Sequence, residues 1–182
     1  AQIKRLRPDL QVRPLRGNVP TRLDKLQKGE YDAIVLAEAG MRRLGLDDHI
    51  TQVFPPDMVL PAPAQGALGV EMRADHPLLQ KLISPLDEID ARATTTCERA
   101  LLSRLGAGCQ VPVAALAEYR VGQLRCHGLI ASIDGAHMVR RIIHGRAEDA
   151  QALGEALGGQ LLQNGGEAIL AAVPANASEV YV

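Results

Sequence analysis

Apolar and polar positions follow two rhythms along this chain, and the rhythm changes near the middle. LQVRPL (10–15) reads as a strand. PTRLDKLQKG (20–29) reads as a short helix, with Pro20 tolerated early and Gly29 as its stop. YDAIVLA (31–37) is a continuous apolar run, the pattern of a buried parallel strand, and AGMRRLGL (39–46) predicts another helical segment. This β-α-β-α order points to an α/β layer. FPPDMVLPAPAQG (54–66) interrupts it: Pro55, Pro56, Pro61 and Pro63 exclude a regular helix and suggest a stiff crossing or hinge. GALGVEMR (66–73) resumes as a strand. SPLDEIDARATTTCERALLSRLG (84–106) reads as a long helical stretch, with Leu86, Ile89, Ala93, Cys97, Ala100, Leu101 and Leu105 near one stripe.

In the last third the pattern becomes that of hairpins. VPVAALAEYR (111–120), LRCHGLIASID (124–134) and HMVRRIIHG (137–145) read as three strands. Short turns at 121–123 and 134–136 make them antiparallel neighbours. Helical patterns follow at 148–163 and 166–173, giving a small α+β unit. Residues 174–182 are expected to fray. The fold class is therefore α/β followed by α+β.

Composition narrows the function classes. The chain is 182 residues long, 47% hydrophobic and 23% charged, which is ordinary for a globular protein. Its four aromatic residues, Tyr31, Phe54, Tyr119 and Tyr181, are too few for base-stacking platforms. A net charge of −1 gives no general polyanion affinity, so no nucleic-acid partner is expected. Half of the Lys and Arg residues nevertheless fall in the first fifty positions, which leaves room for local anion binding. No apolar run reaches membrane-spanning length, and no leader is legible. Cys97, Cys109 and Cys126 form no metal-type pair, and the odd count suggests reduced thiols in a cytoplasm. No metal site is expected, and most of the five histidines are read as surface residues.

Three stretches could carry chemistry. In RLGAGCQVPV (104–113), Cys109 sits in a small-residue loop between a helix and a strand. Such a loop can expose a thiol, and its glycines let the backbone approach a bulky attached group. The plain alternative is a small buried hydrophobe, which suits Cys97 and Cys126 better. In PLRGNVPTRL (14–23), Arg16 lies at a strand end and Arg22 in the next helix's first turn, with Gly17 and Asn18 turning between them. Guanidinium forks match carboxylates. Arg43 could join them, because strand carboxyl ends gather on one edge of an α/β sheet. Otherwise these are three solvated arginines. In PAPAQGALGVE (61–71), Gln65 and Gly66 could offer amide groups to a cleft between two units, or serve only as a crossover.

Together LRGNVPTRL, GEYDAIVLAEAGMRRLGL, LPAPAQGALGVE and ERALLSRLGAGCQVPV resemble the porphobilinogen deaminases, also called hydroxymethylbilane synthases. The match runs in order through nearly all of 1–173. Ala107 stands where a glycine is usual, and no functional side chain is lost. The resemblance implies a transferase that condenses four porphobilinogen molecules, with loss of ammonia, onto a covalent dipyrromethane primer. The product is the linear tetrapyrrole hydroxymethylbilane. It implies a thioether from Cys109 to dipyrromethane, with Arg16, Arg22 and Arg43 binding pyrrole carboxylates. Gln65 and Gly66 would contact the cofactor near the hinge, and Leu36, Ala37 and Gly40 would offer backbone contacts. It also implies half of a two-lobe unit like the periplasmic binding proteins: 1–60 most of domain two, 61–66 a hinge, and 67–84 a return segment of domain one. Residues 89–173 would form domain three. The family's catalytic aspartate would lie upstream of this sequence. The chain alone is thus expected to be inactive, and to self-associate where the whole protein is a monomer. A non-catalytic anion-binding module of two-lobe ancestry, or an inactive fragment, are the alternative readings.

Overall fold

The computed structural model describes residues 1–106 and 112–173. Its best-built part is the sheet of β1 (Val113–Arg120), β2 (Gln123–Ala131) and β3 (Met138–Arg146), in the order β1-β2-β3 and antiparallel throughout. Each strand falls where the alternation predicts it, within a few residues. The first hairpin turns through Val121 and Gly122, at φ 47° and 76°, the twist that a tight hairpin favours. The second strand stops earlier than its pattern suggests. Ser132 and Asp134 are taken by the turn, where Asp134 accepts from the Ser132 hydroxyl and from the Ala136 amide.

Successive side chains point to opposite faces of a strand, and both faces of this sheet are used. Ala115, Ala117, Leu124, Cys126 and Ile130 pack under α5 (Ile89–Leu105) and α6 (Ala150–Leu161). Cys97 and Leu101 of α5, and Leu157 and Leu161 of α6, are fully buried. Each such leucine stabilises the fold by about 1.5–3 kcal/mol relative to an exposed one. The two helices approach backbone to backbone: a Cβ on Gly154 would lie 2.1 Å from the Cys97 carbonyl oxygen. α7 (Glu167–Ala171) follows after a wide turn at Leu162–Gly166. The stripe along α5 is shorter than the sequence suggests, because Leu86 and Ile89 are exposed.

The other face carries Ala114, Leu129 and Ala131, and Leu60 closes over them. Here the proline-rich stretch lies against the sheet. Pro61 accepts from the Ala115 amide at 3.1 Å, on the edge of β1 that faces away from β2. Gln2, in α1 (Gln2–Leu6), holds Leu60 from both sides, donating to its carbonyl at 2.8 Å and accepting from its amide at 2.9 Å. Arg140 of β3 donates to the carbonyls of Pro56 and Asp57.

The first region departs from the expected layer. α2 (Val19–Gln27) and α3 (Glu38–Arg43) form as predicted, and α4 (Pro77–Ile83) falls within 67–84. The strands expected at 10–15, 31–37 and 66–73 do not form: among the described residues only β1, β2 and β3 are strands. A strand exists only with a hydrogen-bonded neighbour, and none is present for these three. The first two still lie side by side, joined by side chains. Tyr31 donates to the Pro14 carbonyl at 2.9 Å, and Arg13 donates to the Glu30 carbonyl while lying 5.1 Å from the Tyr31 ring centroid. No helix among the described residues is long and apolar enough to cross a membrane.

Candidate functional site

The turn before α2 is locally determined. Gly17 adopts φ 122°, a value that side chains disfavour, and a Cβ there would meet the Thr21 methyl at 2.9 Å. Asn18 then caps the helix, accepting from the Thr21 amide at 2.9 Å and from its hydroxyl at 2.7 Å. Arg16 is exposed just before this turn. Arg22 is half-buried, and its Nε donates to the Gly17 carbonyl at 2.7 Å, which aims the guanidinium back along the turn. Arg22 lies near the start of α2 as the sequence suggests, but Arg16 does not stand at the end of a strand, because 10–15 is not one.

α3 starts beside α2: a Cβ on Gly40 would lie 3.9 Å from Val19. Leu36 is half-buried ahead of it, and Ala37 occupies the capping position with no side-chain cap. Arg42 and Arg43 end the helix and differ sharply. Arg42 is engaged by Glu38 at 2.7 Å and Asp47 at 3.0 Å, and those carboxylates hold its proton more tightly than usual. Arg43 is exposed, and among the described residues it has no hydrogen bond or ion pair; nor does Arg16. Other arginines, such as Arg7 on Asp9 and Arg92 on Asp87, are already neutralised. The expected carboxylate binders are thus cations with forks to offer.

Gln65 and Gly66 are exposed, and Gly66 has φ 82°. No hydrogen bond among the described residues links them to the arginines. Instead the preceding residue is fixed to α5. Glu98, only 5% exposed, accepts from the Ala64 amide with one carboxylate oxygen and from the Ala117 amide of β1, at 2.7 Å, with the other. Burial pushes its acidity down, and the two amides oppose that shift. Sequence reasoning missed Glu98. Its signal was a carboxylate between Cys97 and Leu101 on the apolar stripe, inside the motif that leads to Cys109.

Cys109 lies outside the described residues. The other two thiols behave as the sequence suggests: Cys97 and Cys126 are completely buried. Contact with Cys97, and burial, push the Cys126 thiol far above its ordinary range. Neither offers an accessible thiolate. The histidines are not all on the surface. His127 of β2 is 8% exposed, with its Nε2 lacking a hydrogen-bond partner among the described residues and 4.0 Å from Glu118. It belongs to the sheet face under the proline-rich stretch. Among the described residues no cluster of His, Cys, Asp and Glu could hold a metal ion.

The described residues thus make a mixed helix-and-strand chain with exposed guanidiniums at Arg16 and Arg43 and a buried pair of thiols. Comparison with known proteins gives the family. The model "Porphobilinogen deaminase, dipyromethane cofactor binding domain" matches residues 1–81, and "Porphobilinogen deaminase, C-terminal domain" matches residues 93–163. The chain is 51% identical to the porphobilinogen deaminase of Roseiflexus castenholzii and 52% identical to that of Roseiflexus sp. (strain RS-1). Each alignment spans 170 residues, 93% of this chain and 56% of the relative. It is 49% identical over 177 residues to the enzyme of Desulforudis audaxviator, covering 97% of this chain and 57% of that protein. The chain belongs to the porphobilinogen deaminase family, and it spans a little over half the length of these relatives.

Proposed function

We propose that the protein to which this chain belongs is a hydroxymethylbilane synthase, a cytoplasmic transferase that joins four porphobilinogen molecules head to tail with loss of ammonia. The observation that carries this reading is the pair of family matches, which together run from residue 1 to residue 163 in order. The donor set fits the cofactor named by the first match. A dipyrromethane bears acetate and propionate groups, and Arg16 and Arg43 are exposed guanidiniums, with Arg22 held in line by Gly17. When bound, the cofactor supplies the pyrrole carbon onto which the first substrate is condensed. Cys109 holds it through a thioether, as the family resemblance implies, and the burial of the other two cysteines agrees with that.

The arginines bind the carboxylates of the cofactor and of the growing chain. Gln65 and Gly66 offer amide contacts beside it, and Leu36, Ala37 and Gly40 present backbone to it. Residues 1–60 form most of the second domain, a lobe of the periplasmic-binding-protein type. Residues 61–66 are the hinge, 67–84 return to the first domain, and 89–173 are the third. The unmatched part of the relatives supplies the strand partners that 10–15, 31–37 and 66–73 lack, together with the catalytic carboxylate. Positioned charge is commonly the largest catalytic contribution, so this chain alone does not turn over. With apolar residues such as Leu68 and Val70 exposed, it self-associates, while the whole protein is a monomer.

The test is turnover of porphobilinogen by the complete protein and by residues 1–182. The complete protein makes hydroxymethylbilane and the chain alone makes none. In the complete protein, Arg16→Leu, Arg22→Leu and Arg43→Leu each impair cofactor assembly or stall elongation. Normal turnover and a normal distribution of intermediates in all three variants would refute the assignment of the arginines. Product from the chain alone would refute the missing-carboxylate argument.

A further inference from the structure

Glu98 presents a puzzle that the proposed reaction does not absorb. A carboxylate that is 95% buried loses most of its hydration, which is costly unless strong partners replace the water. Among the described residues no basic side chain pairs with it. Its partners are two backbone amides from separate parts of the chain, Ala117 in the edge strand and Ala64 in the proline-rich stretch. A carboxylate presents only acceptors, so it can receive two N–H groups from different directions; a glutamine would turn a donor toward one of them.

What the carboxylate holds is unusual in its own right. Ala64 has φ 57°, the left-handed region that a residue with a Cβ rarely adopts. Such a conformation persists when its surroundings over-determine it. Pro61, three residues earlier, is fixed to the Ala115 amide. Residues 61–64 are thus pinned at both ends to β1 and α5, and Gln65 and Gly66 emerge directly from the second pin. The same helix, α5, precedes Cys109 in the chain by four residues.

We propose that Glu98 is a positioning residue: by binding the Ala64 and Ala117 amides together, it sets the backbone of Gln65 and Gly66 relative to the helix that leads to Cys109. This rests on the cofactor reading above for its consequence, but not for its geometry. The proline-rich stretch is then not a free hinge on its carboxyl-terminal side. Within the 61–66 hinge, residues 61–64 are locked to β1 and α5, so the hinge is anchored on that side.

Amide hydrogen exchange in residues 1–182 tests the geometry. In Glu98→Gln the isosteric side chain keeps its size and one acceptor, so either the Ala64 or the Ala117 amide loses its partner. Exchange at that amide should rise at least tenfold, while amides within β2 and β3 keep their rates. Unchanged exchange at both amides would overturn the latch. If Glu98→Gln does not fold, Glu98→Asp, one methylene short, reads the same two amides by the same criterion. Kinetics in the complete protein test the consequence. The rate is counted per molecule carrying the covalent adduct, as measured by intact mass. That rate should fall about tenfold, since small misplacements near reacting groups are expensive, with little change in KM. A purely structural role would lower the number of adduct-bearing molecules and leave each at its normal rate, and that result would overturn the positioning role. A wild-type protein with neither adduct nor turnover would sink the cofactor reading, while the exchange experiment would still decide the latch.

Discussion

Residues 89–173 and residues 1–88 both carry apolar runs and helical patterns in sequence, yet they reach different ends. The later region has a sheet, two helices packed on it and a core in which Cys97, Leu101, Leu157 and Leu161 are wholly buried. The earlier region has helices but no strand, and its core residues are few: Leu23, Met41 and Leu60. Large apolar side chains remain outside, Leu68 at 93% and Val35 at 62% exposure among them. The difference teaches where each element's information resides. α2 needs only Gly17, Asn18 and Thr21, all within five residues. A parallel strand needs a neighbour brought from far along the chain, and the relatives are nearly twice as long as the piece that matches.

Cutting between the two regions should break the molecule most unevenly. Residues 89–182 alone should unfold cooperatively, with slow amide exchange in β2, whereas residues 1–88 alone should show no cooperative transition. Equal cooperativity in the two pieces, followed by circular dichroism on denaturant titration, would contradict the comparison. Within the later region, Gly154→Ala places a methyl against the Cys97 carbonyl and the Ala100 side chain. It should cost about 1–3 kcal/mol by overpacking, read as a lower denaturation midpoint. Within the earlier region, Asn18→Ala removes the cap of α2 at a cost of about 1 kcal/mol. It should leave the midpoint of residues 89–173 unchanged, and a shift there would show that the two regions unfold as one.

A smaller effect distinguishes the two faces of the sheet. Burial holds the His127 imidazole below its usual protonation range, and Arg125, Arg140 and His144 act in the same direction while Glu118 opposes them. The unfolded chain therefore binds a proton that the folded chain resists. Stability contributed by the neutral ring is present above about pH 6.5, the unfolded value, and is lost as pH falls toward the lower folded value. Denaturant midpoints measured from pH 7.5 down to 5 should drop less in His127→Leu than in the parent chain. Parallel curves would mean that His127 does not carry the acid sensitivity of this face.

Legibility in the sequence follows the same division. The three hairpin strands could be read because alternation, tight turns and pairing partners all lie within about forty residues. The stripe from Ala93 to Leu105 could be read for the same reason. The patterns at 10–15, 31–37 and 66–73 were equally clear, but they specify strands only in the presence of a sheet. Leu86 and Ile89 extend the apolar spacing of α5 past the end of anything it packs on. Glu98 escaped because a carboxylate on a helix reads as solvent-facing, and its partners are backbone amides, which leave no mark in a residue pattern. His127 escaped likewise: the segment that covers it lies about seventy residues away. Of the site, the arginine of the Gly17 turn and the exposed Arg43 were legible as candidates, but their freedom from partners was visible only in the structure.

The proposed tether is Cys109, with Cys97 and Cys126 as packing. Intact-mass measurement of the complete protein and its three single Cys→Ser variants tests it directly. Parent, Cys97→Ser and Cys126→Ser should carry a covalent dipyrromethane, with some loss of stability in the two core variants, and Cys109→Ser should carry none. An adduct that persists on Cys109→Ser would contradict the claim.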